Sequence, residues 1–427
     1  MRLIYGWLAN NDEMGVDTML KKIHVSDIKV GMYIHEICGS WMDHSFWKKS
    51  FKVNDAKTLR GLRESCIHEV WIDTVKGADV AAGTVAFSEE DEKIRVDEAL
   101  DWAIRNAREL ECKLPLYEEI DRARTIHTKA KKAVTSMFKE ARMGRALQLG
   151  NLESLVDEIN QSMARNSAAM LGLARLKNKD DYTYLHSVAV CALMIALGRQ
   201  LGLEGSMLRE AGMAGLLHDI GKIMTPEEVL NKPGCLNPEE FEVMKRHPMS
   251  GWAILKESPG ISASTLDVCL HHHERLDGTG YPEKISGEAI SLFARMGAVC
   301  DVYDAITSER CYKSAWEPAE AIRKMAEWKD GNYDETVFHA FVKTVGIYPV
   351  GTLVKLKSGR LGVVAEQSAG SLLTPKVTVF YSSRCCEHVF PERVDLFRSP
   401  DAILSVECAA NWGFDPDMLQ RMGELAA

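Results

Sequence analysis

The chain of 427 residues is long enough for two or three domains and for at least one substantial core. Its composition, 46% hydrophobic and 26% charged, is that of an ordinary globular protein. The net charge of −9 argues against a nucleic-acid polymer as partner, because duplex-binding proteins usually present a basic face. It leaves open a small phosphorylated ligand, for which a few well-placed cations suffice.

The cysteines and the N-terminus indicate a cytoplasmic protein. The eleven cysteines include no C-x-x-C pair, and their odd number in so long a chain favours reduced thiols. We interpret the adjacent Cys385 and Cys386 as two free thiols. No run of about 18 apolar residues predicts a membrane span. The first residues lack the basic and apolar regions of a signal peptide.

The N-terminal third is predicted to contain three segments. Residues 1–18 precede a natural-looking start at Met19 and are expected to form a flexible extension. Residues 19–76 combine strand-forming residues, a glycine turn and a short helical pattern, which predicts a small accessory α/β domain. Residues 77–148 begin with an Ala- and Gly-rich stretch and continue as a charged helical pattern, which indicates a linker and a helical connector.

The remaining chain is predicted to form helices, then short strands, and then a helical end. Residues 149–345 show apolar residues at three- and four-residue spacings, which predicts a domain of amphipathic helices. Residues 346–400 contain short β-like runs between Gly, Ser and Pro, and predict a small β extension. Residues 401–427 are predicted to form a helical tail. The fold class is therefore mainly α, with a small N-terminal α/β module and a small C-terminal β extension.

A group of histidines and aspartates carries the chemistry. His218 and Asp219 follow an apolar helical run, where an adjacent imidazole and carboxylate are costly to bury unless they are compensated. A divalent cation compensates both, since imidazole nitrogen and carboxylate oxygen are its common ligands. A lone core histidine is more often hydrogen-bonded than metal-bound, but five histidines and two aspartates on one helical domain favour metal. The candidate ligands are His186, His218, Asp219, His247, His272, His273 and Asp301.

Three segments resemble the HD-GYP family of cyclic di-GMP phosphodiesterases, a branch of the HD phosphohydrolase superfamily. They are His218–Lys222 (His-Asp-Ile-Gly-Lys), His272–Pro282 (ending in Gly-Tyr-Pro) and Asp301–Arg310. The domain at 19–76 resembles the accessory domain often found ahead of HD-GYP domains, and the β extension resembles one that often follows them. The resemblance implies a metal-dependent phosphodiesterase.

The resemblance also implies how two metal ions are held, with iron or manganese as the expected ions. Asp219 would bridge the two ions. Tyr182 stands where some family members carry a glutamate for a third ion, so we expect two ions. His271 is expected to be a neighbour without a metal role. The two implied ligand sets are His186, His218, Asp219 and Asp301 for one ion, and His247, His272 and His273 beside Asp219 for the other.

The substrate-handling residues are also implied by the resemblance. Lys222 would contact the scissile phosphate, and Arg310 and Lys313 would bind phosphate. The alternative for each of these cations alone is a solvated surface charge, which for Lys222 we regard as the less favoured interpretation. Asp304 is expected to orient a ligand or the attacking water in catalysis. Tyr281, in the Gly-Tyr-Pro loop, is expected to contact substrate without a direct catalytic part.

The predicted activity is hydrolysis of cyclic di-GMP to linear pGpG, with GMP open as a further product. The alternatives are a 3′,3′-cyclic GMP-AMP phosphodiesterase, since base preference cannot be read from one sequence, and a catalytically weak cyclic-dinucleotide receptor or scaffold. Family members also contact diguanylate cyclase (GGDEF) domains through the loop that corresponds to Gly280–Pro282, which makes such a domain a candidate partner. The amphipathic pattern at 89–145 is compatible with a homodimer.

Overall fold

A computed structural model describes most of the chain, and the expected extension at 1–18 lies outside the described residues. The chain divides into two compact units, Met1–Arg95 and Val96–Ala427. The described residues are 19–39, 50–63, 67–81, 83–105, 114–145, 147, 149–174, 182–232, 234, 236–308, 315–366, 368, 374–407 and 409–424.

The N-terminal unit contains an antiparallel five-stranded sheet of order β3-β2-β4-β1-β5, with a short helix. Apolar residues of the sheet, the helix and the connecting loops form a small core. The strand β5 comes from the segment that the sequence assigned to linker and connector. A two-residue strand is too short to give a periodic signal, so pattern reasoning missed it. The elements are β1 (Leu20–His24), β2 (Tyr33–Ile37), β3 (Phe51–Lys52), α1 (Ala56–Arg63), β4 (Glu69–Asp73) and β5 (Phe87–Ser88).

Helices dominate the chain from Glu89 to Val345, which confirms the mainly α fold. Short 3-10 helices occur at Ile220–Met224 and Gly287–Ala289. The α-helices are α2 (Glu89–Arg105), α3 (Leu116–Arg142), α4 (Leu149–Ala174), α5 (Tyr182–Gln200), α6 (Ser206–Leu217), α7 (Glu227–Leu230), α8 (Pro238–Met244), α9 (His247–Lys256), α10 (Ala263–His271), α11 (Leu292–Ile306), α12 (Pro318–Glu327), α13 (Lys329–Asn332) and α14 (Glu335–Val345).

The helix α5 forms the centre of this domain. Its residues from Leu185 to Leu197 are buried on every side, as expected of a helix that is apolar all round. It packs against α4, α6 and α11. A polar residue on α5 therefore lies in the interior, and His186 is such a residue.

The C-terminal part forms a second antiparallel five-stranded sheet, of order β10-β6-β7-β8-β9. The tail expected to be helical contributes first a strand, β10, and then two short helices. A four-residue run gives too little periodicity to separate strand from helix. Cys385 and Cys386 are free, exposed thiols in the turn between β8 and β9. The elements are β6 (Leu353–Leu356), β7 (Arg360–Glu366), β8 (Lys376–Ser382), β9 (Glu387–Asp395), β10 (Ile403–Val406), α15 (Ala409–Trp412) and α16 (Pro416–Glu424).

Among the described residues, no helix combines the length and the apolar character that crossing a bilayer requires.

Candidate metal centre

The fold gathers all seven candidate ligands at one place in the helical domain. They come from the second turn of α5, the end of α6, the start of α9, the end of α10 and the middle of α11. They form two groups, in each of which the possible ligand atoms lie within 4.8 Å of one another. The groups are His186, His218, Asp219 and Asp301, and His247, His272 and His273.

Asp219 lies between the two groups and presents one oxygen to each. Its Oδ2 is 3.4 Å from Nε2 of both His186 and His218. Its Oδ1 is 3.2 Å from Nε2 of His247 and 3.7 Å from Nε2 of His272. The carboxylate is therefore placed to bridge two cations, one per group.

Asp301 also faces both groups. Its Oδ1 lies 3.0 Å from Nε2 of His186 and 3.7 Å from Nε2 of His218. Its Oδ2 points toward the other group, 4.0 Å from Nδ1 of His273. The sequence assigned this aspartate to the first ion alone, whereas the structure also turns its second oxygen toward the second group.

Helix ends orient three of the histidines. The last turn of a helix leaves backbone carbonyls without intrahelical partners, and a histidine that follows can donate to them. A carbonyl only accepts, so Nδ1 carries the proton and Nε2 is left as the ligand atom. These bonds run from His218 to Gly215 (2.8 Å) and from His247 to Met244 (2.8 Å). The His272 ring is shared between the carbonyl of Cys269 (3.2 Å) and that of Val268 (3.0 Å), which also accepts the backbone N–H of His272.

A glycine contact brings the two groups together. A Cβ at Gly221 would lie only 2.0 Å from the carbonyl oxygen of His247 and 2.4 Å from the nitrogen of Gly251. The 3-10 helix after Asp219 can therefore approach the first turn of α9 closely only because residue 221 has no side chain. This contact sets the distance between Asp219 and His247.

The site fits divalent metal ions. Nε2 of His218, Oδ1 of Asp219 and Oδ1 of Asp301 are buried and, among the described residues, face other members of the site without the geometry of a hydrogen bond. Leaving such atoms unsatisfied costs about 1–3 kcal/mol each. Nitrogen and carboxylate donors without a thiolate suit manganese, iron or zinc. Cations between these residues would satisfy these buried nitrogen and carboxylate atoms.

Opposite charges interact strongly inside the first group. Burial alone would raise the pKa of the Asp219 carboxyl, but Lys222 and His218 outweigh it and hold the pKa well below its usual range. Burial opposes a proton on His218, but Asp219 and Asp301 outweigh burial and raise its pKa to about 10. Without metal, the first group therefore holds protons where a cation would otherwise lie.

In the second group, the pKa values of two histidines are lowered rather than raised. Burial, with His218 and His247 nearby, lowers the pKa of His272 to about 3. Burial, with His272 and His247 nearby, also holds the pKa of His273 well below its usual range. These two rings are neutral at physiological pH and have lone pairs ready for a cation.

Comparison with known proteins agrees with this arrangement. Residues 20–152 match a domain of unknown function (DUF3391), and residues 155–337 match the HD domain. A cyclic di-GMP phosphodiesterase of Pseudomonas aeruginosa is 52% identical over 399 residues, which cover 93% of this chain and 94% of that protein. The chain belongs to the HD-GYP family.

Other HD-GYP relatives match only part of the chain. A cyclic di-GMP phosphodiesterase response regulator of Xanthomonas campestris is 39% identical over 204 residues, 47% of this chain and 53% of that protein. A 3′3′-cGAMP-specific phosphodiesterase of Vibrio cholerae is 38% identical over 178 residues, 42% of this chain and 41% of that protein.

The structure describes three of the five residues expected to handle substrate in this HD-GYP protein. Lys222 is ion-paired with Oδ2 of Asp219, and its side chain is 15% exposed whereas that of Asp219 is 1% exposed. Tyr281 lies on the second group of ligands, with its ring against that of His273. Arg310 and Lys313 lie outside the described residues.

Asp304 contacts the ring of His186. Its Oδ2 is 2.6 Å from Nδ1 of His186, on the side of the ring away from Asp219 and Asp301. A carboxylate in this place fixes the ring orientation and raises the basicity of Nε2. From the sequence we expected Asp304 to orient either a ligand or the attacking water. Its contact with the His186 ring favours the first of these roles, in which it orients a candidate metal ligand.

Removing the Asp304 carboxylate should weaken metal binding at the first group. We expect Asp304→Ala to lower the affinity for one Mn²⁺ by about 10- to 100-fold, because the His186 ring loses its hydrogen-bond acceptor. Asp304→Asn should lose less, since its amide oxygen still accepts. Titration of metal-free protein with Mn²⁺ measures this, and unchanged binding of both ions by Asp304→Ala would contradict it.

Sequence reasoning missed two features of this HD-GYP site. One is the set of backbone carbonyls that orient the rings, although histidines at predicted helix ends are a usable signal. The other is Glu274, which directly follows His273 and is only 2% exposed. A glutamate in a Gly-rich loop predicts a solvent-exposed side chain, so nothing in the pattern indicated its burial.

Proposed function

We propose that this HD-GYP protein hydrolyses cyclic di-GMP to linear pGpG, with GMP open as a further product, using two divalent ions, iron or manganese. The observation that carries the proposal is the position of Asp219, whose two oxygens face two separate groups of nitrogen and oxygen ligands. The name of the Pseudomonas aeruginosa relative, which matches nearly the whole chain, supports the same substrate.

Two ions held by the two groups would supply a hydroxide nucleophile at neutral pH and positive charge beside the phosphodiester. The protein's own task is to fix those positions. Asp219 and Asp301 provide the carboxylates that both groups share, and the neutral rings of His272 and His273 provide lone pairs without first losing a proton. The hydrogen bonds of the His218, His247 and His272 rings to backbone carbonyls keep the ligand atoms of these rings in place without reorganisation.

Lys222 is the residue we propose for the scissile phosphate. It lies beside the bridging carboxylate and is more exposed than that carboxylate, so a phosphate entering from solvent meets its ammonium group. Addition of one water then breaks the bond between phosphorus and the ribose O3′. The water oxygen stays on the 5′-phosphate of pGpG, and a proton completes the 3′-hydroxyl.

Further parts of the proposal rest on the family resemblance. Arg310 and Lys313 would bind the phosphates of the substrate. The loop Gly280–Pro282 would contact a diguanylate cyclase domain, and the chain would act in the cytoplasm, with a homodimer as the expected assembly. These remain predictions.

Turnover with defined metal tests the proposed activity. Protein purified without oxygen and loaded with Mn²⁺ or Fe²⁺ should convert cyclic di-GMP to pGpG, as followed by chromatography, with about two ions bound per chain. A higher kcat/KM for 3′,3′-cyclic GMP-AMP would replace the substrate with that alternative. Tight binding of cyclic di-GMP without turnover in the fully loaded protein would favour a receptor.

Replacing Lys222 should slow the reaction without removing the metal. We expect Lys222→Met to lower kcat/KM for cyclic di-GMP by about 100-fold, the usual cost of one lost charge-stabilising group. Its metal content should stay that of the wild type, because no nitrogen or carboxylate ligand is removed. The exposed Lys93 provides a control, and Lys93→Met should keep wild-type kinetics. A loss below threefold for Lys222→Met would remove it from substrate binding.

A further inference from the structure

His273 differs from the other histidines of the site in how its ring is held. The rings of His218, His247 and His272 each donate to a backbone carbonyl, and His186 is bonded to Asp304. Within the described ranges, no hydrogen bond to the His273 ring is found. Metal-ligating histidines almost always have such a partner to fix the ring. Something else must orient His273.

The loop that follows His273 folds back over its ring. The Tyr281 and His273 rings are stacked, with centroids 4.7 Å apart and planes inclined by 24°. The backbone of Tyr281 also donates to the carbonyl of His273 over 3.2 Å. A Cβ at Gly280 would lie 2.5 Å from the Cα of Glu274 and 2.6 Å from the carbonyl oxygen of His273, so glycine is required for this return.

Hydrogen bonds to Glu274 hold this loop in place. Its Oε1 accepts hydrogen bonds from the backbone nitrogens of Glu283 (2.7 Å) and Lys284 (2.9 Å), just beyond Tyr281. Glu274 is 2% exposed, so water competes little for its carboxylate, and these bonds hold the loop more firmly than bonds to a surface carboxylate would. The same residue that follows His273 in the chain therefore holds the segment that lies on the His273 ring.

We propose that the loop from Glu274 to Lys284 is a brace that orients His273 for the second metal ion. Tyr281 is the positioning residue that contacts the ring, and Glu274 is the clamp that holds Tyr281 there. Ring stacking replaces the hydrogen bond that the other histidines have. The inference rests on the proposed two-ion site and gives Tyr281 a role in addition to the expected substrate contact.

The brace is tested by measuring how many ions bind and how tightly each one binds. Metal-free, full-length protein is titrated with Mn²⁺ while the signal of free Mn²⁺ is followed by electron paramagnetic resonance. Wild type should bind two ions. Tyr281→Leu should bind one ion with the wild-type Kd and the other about 10- to 100-fold more weakly, the range that is typical when a partner of a metal ligand is lost.

Conservative variants separate positioning from a general loss of structure. Tyr281→Phe keeps the ring and should bind both ions as tightly as the wild type. Glu274→Gln keeps an oxygen that accepts from both backbone nitrogens and should also bind normally, whereas Glu274→Ala should resemble Tyr281→Leu. Glu288→Ala, an exposed change on the same connection, is the surface control. Thermal unfolding of each metal-free variant checks that it is folded.

Three results would overturn the brace. They are wild-type affinity for both ions in Tyr281→Leu, an equal loss in Tyr281→Phe and Tyr281→Leu, and a single ion bound by the wild type. The measurement needs no substrate. A protein that binds two Mn²⁺ ions with the expected pattern but does not cleave cyclic di-GMP would therefore contradict the proposed function and leave the brace in place.

Discussion

Asp219→Asn should lower turnover of cyclic di-GMP by at least about 1,000-fold, which corresponds to about 4 kcal/mol of transition-state stabilisation. Asparagine has nearly the same shape but lacks the charge that both groups of ligands face. A neutral amide is a poor bridge between two cations, so we expect metal content to fall as well. Elemental analysis and chromatography of the product on the same preparation measure both effects.

A matched control distinguishes the effect of the Asp219 charge on turnover and metal content from a general effect of losing a carboxylate. Glu227→Gln removes a carboxylate that is 72% exposed and paired only with the surface residue Arg142 among the contacts described. It should keep wild-type turnover and metal content. If Asp219→Asn retained two ions and turned over within tenfold of the wild type, the charge of Asp219 would not be needed to bridge the two ions.

The candidate ligands were predictable because their chemistry conflicts with their surroundings. His218, Asp219 and Asp301 stand in otherwise apolar helical runs, and residues of this kind require compensation when buried. The three long motifs added the identity of the family, which the comparisons confirm. The mainly α fold was predictable for a related reason, since long helices repeat their apolar pattern several times.

The remaining features depend on the path of the chain in space. The second oxygen of Asp301 and the stack between His273 and Tyr281 arise from how α10, its following loop and α11 meet. The burial of Glu274 depends on a glycine that lets the loop return. The strands β5 and β10 are too short to give a pattern. Pairing with a neighbouring strand defines them, and that partner lies far away in sequence.

The second large expected effect is the release of protons when metal binds. Uptake of a metal ion at the first group should release at least one proton per chain near pH 7, and the apparent association constant should rise with pH. The reason is that the carboxylates of Asp219 and Asp301 raise the pKa of His218 to about 10. Its ring is therefore protonated in the metal-free protein, and the ion must displace that proton before Nε2 can act as a ligand.

The expected sign follows from that raised pKa. Below about pH 10 each displaced proton makes the apparent affinity rise by up to about tenfold per pH unit, and above the pKa the dependence disappears. The pKa of His186 is raised as well, because Asp219, Asp301 and Asp304 outweigh its burial, so a second proton is expected from the first group. The pKa of His272 is lowered to about 3, so that ring has no proton to lose.

Calorimetry can separate the two groups on this basis. Titrations with Mn²⁺ in two buffers of different ionisation enthalpy give the number of protons released by each ion. One ion should release one to two protons and the other close to none. His218→Asn should reduce the first number by about one, because the removed ring carried that proton. If neither ion released a proton in the wild type, the carboxylates would not hold a charged imidazole in the metal-free centre, and the contrast between the two groups would be wrong.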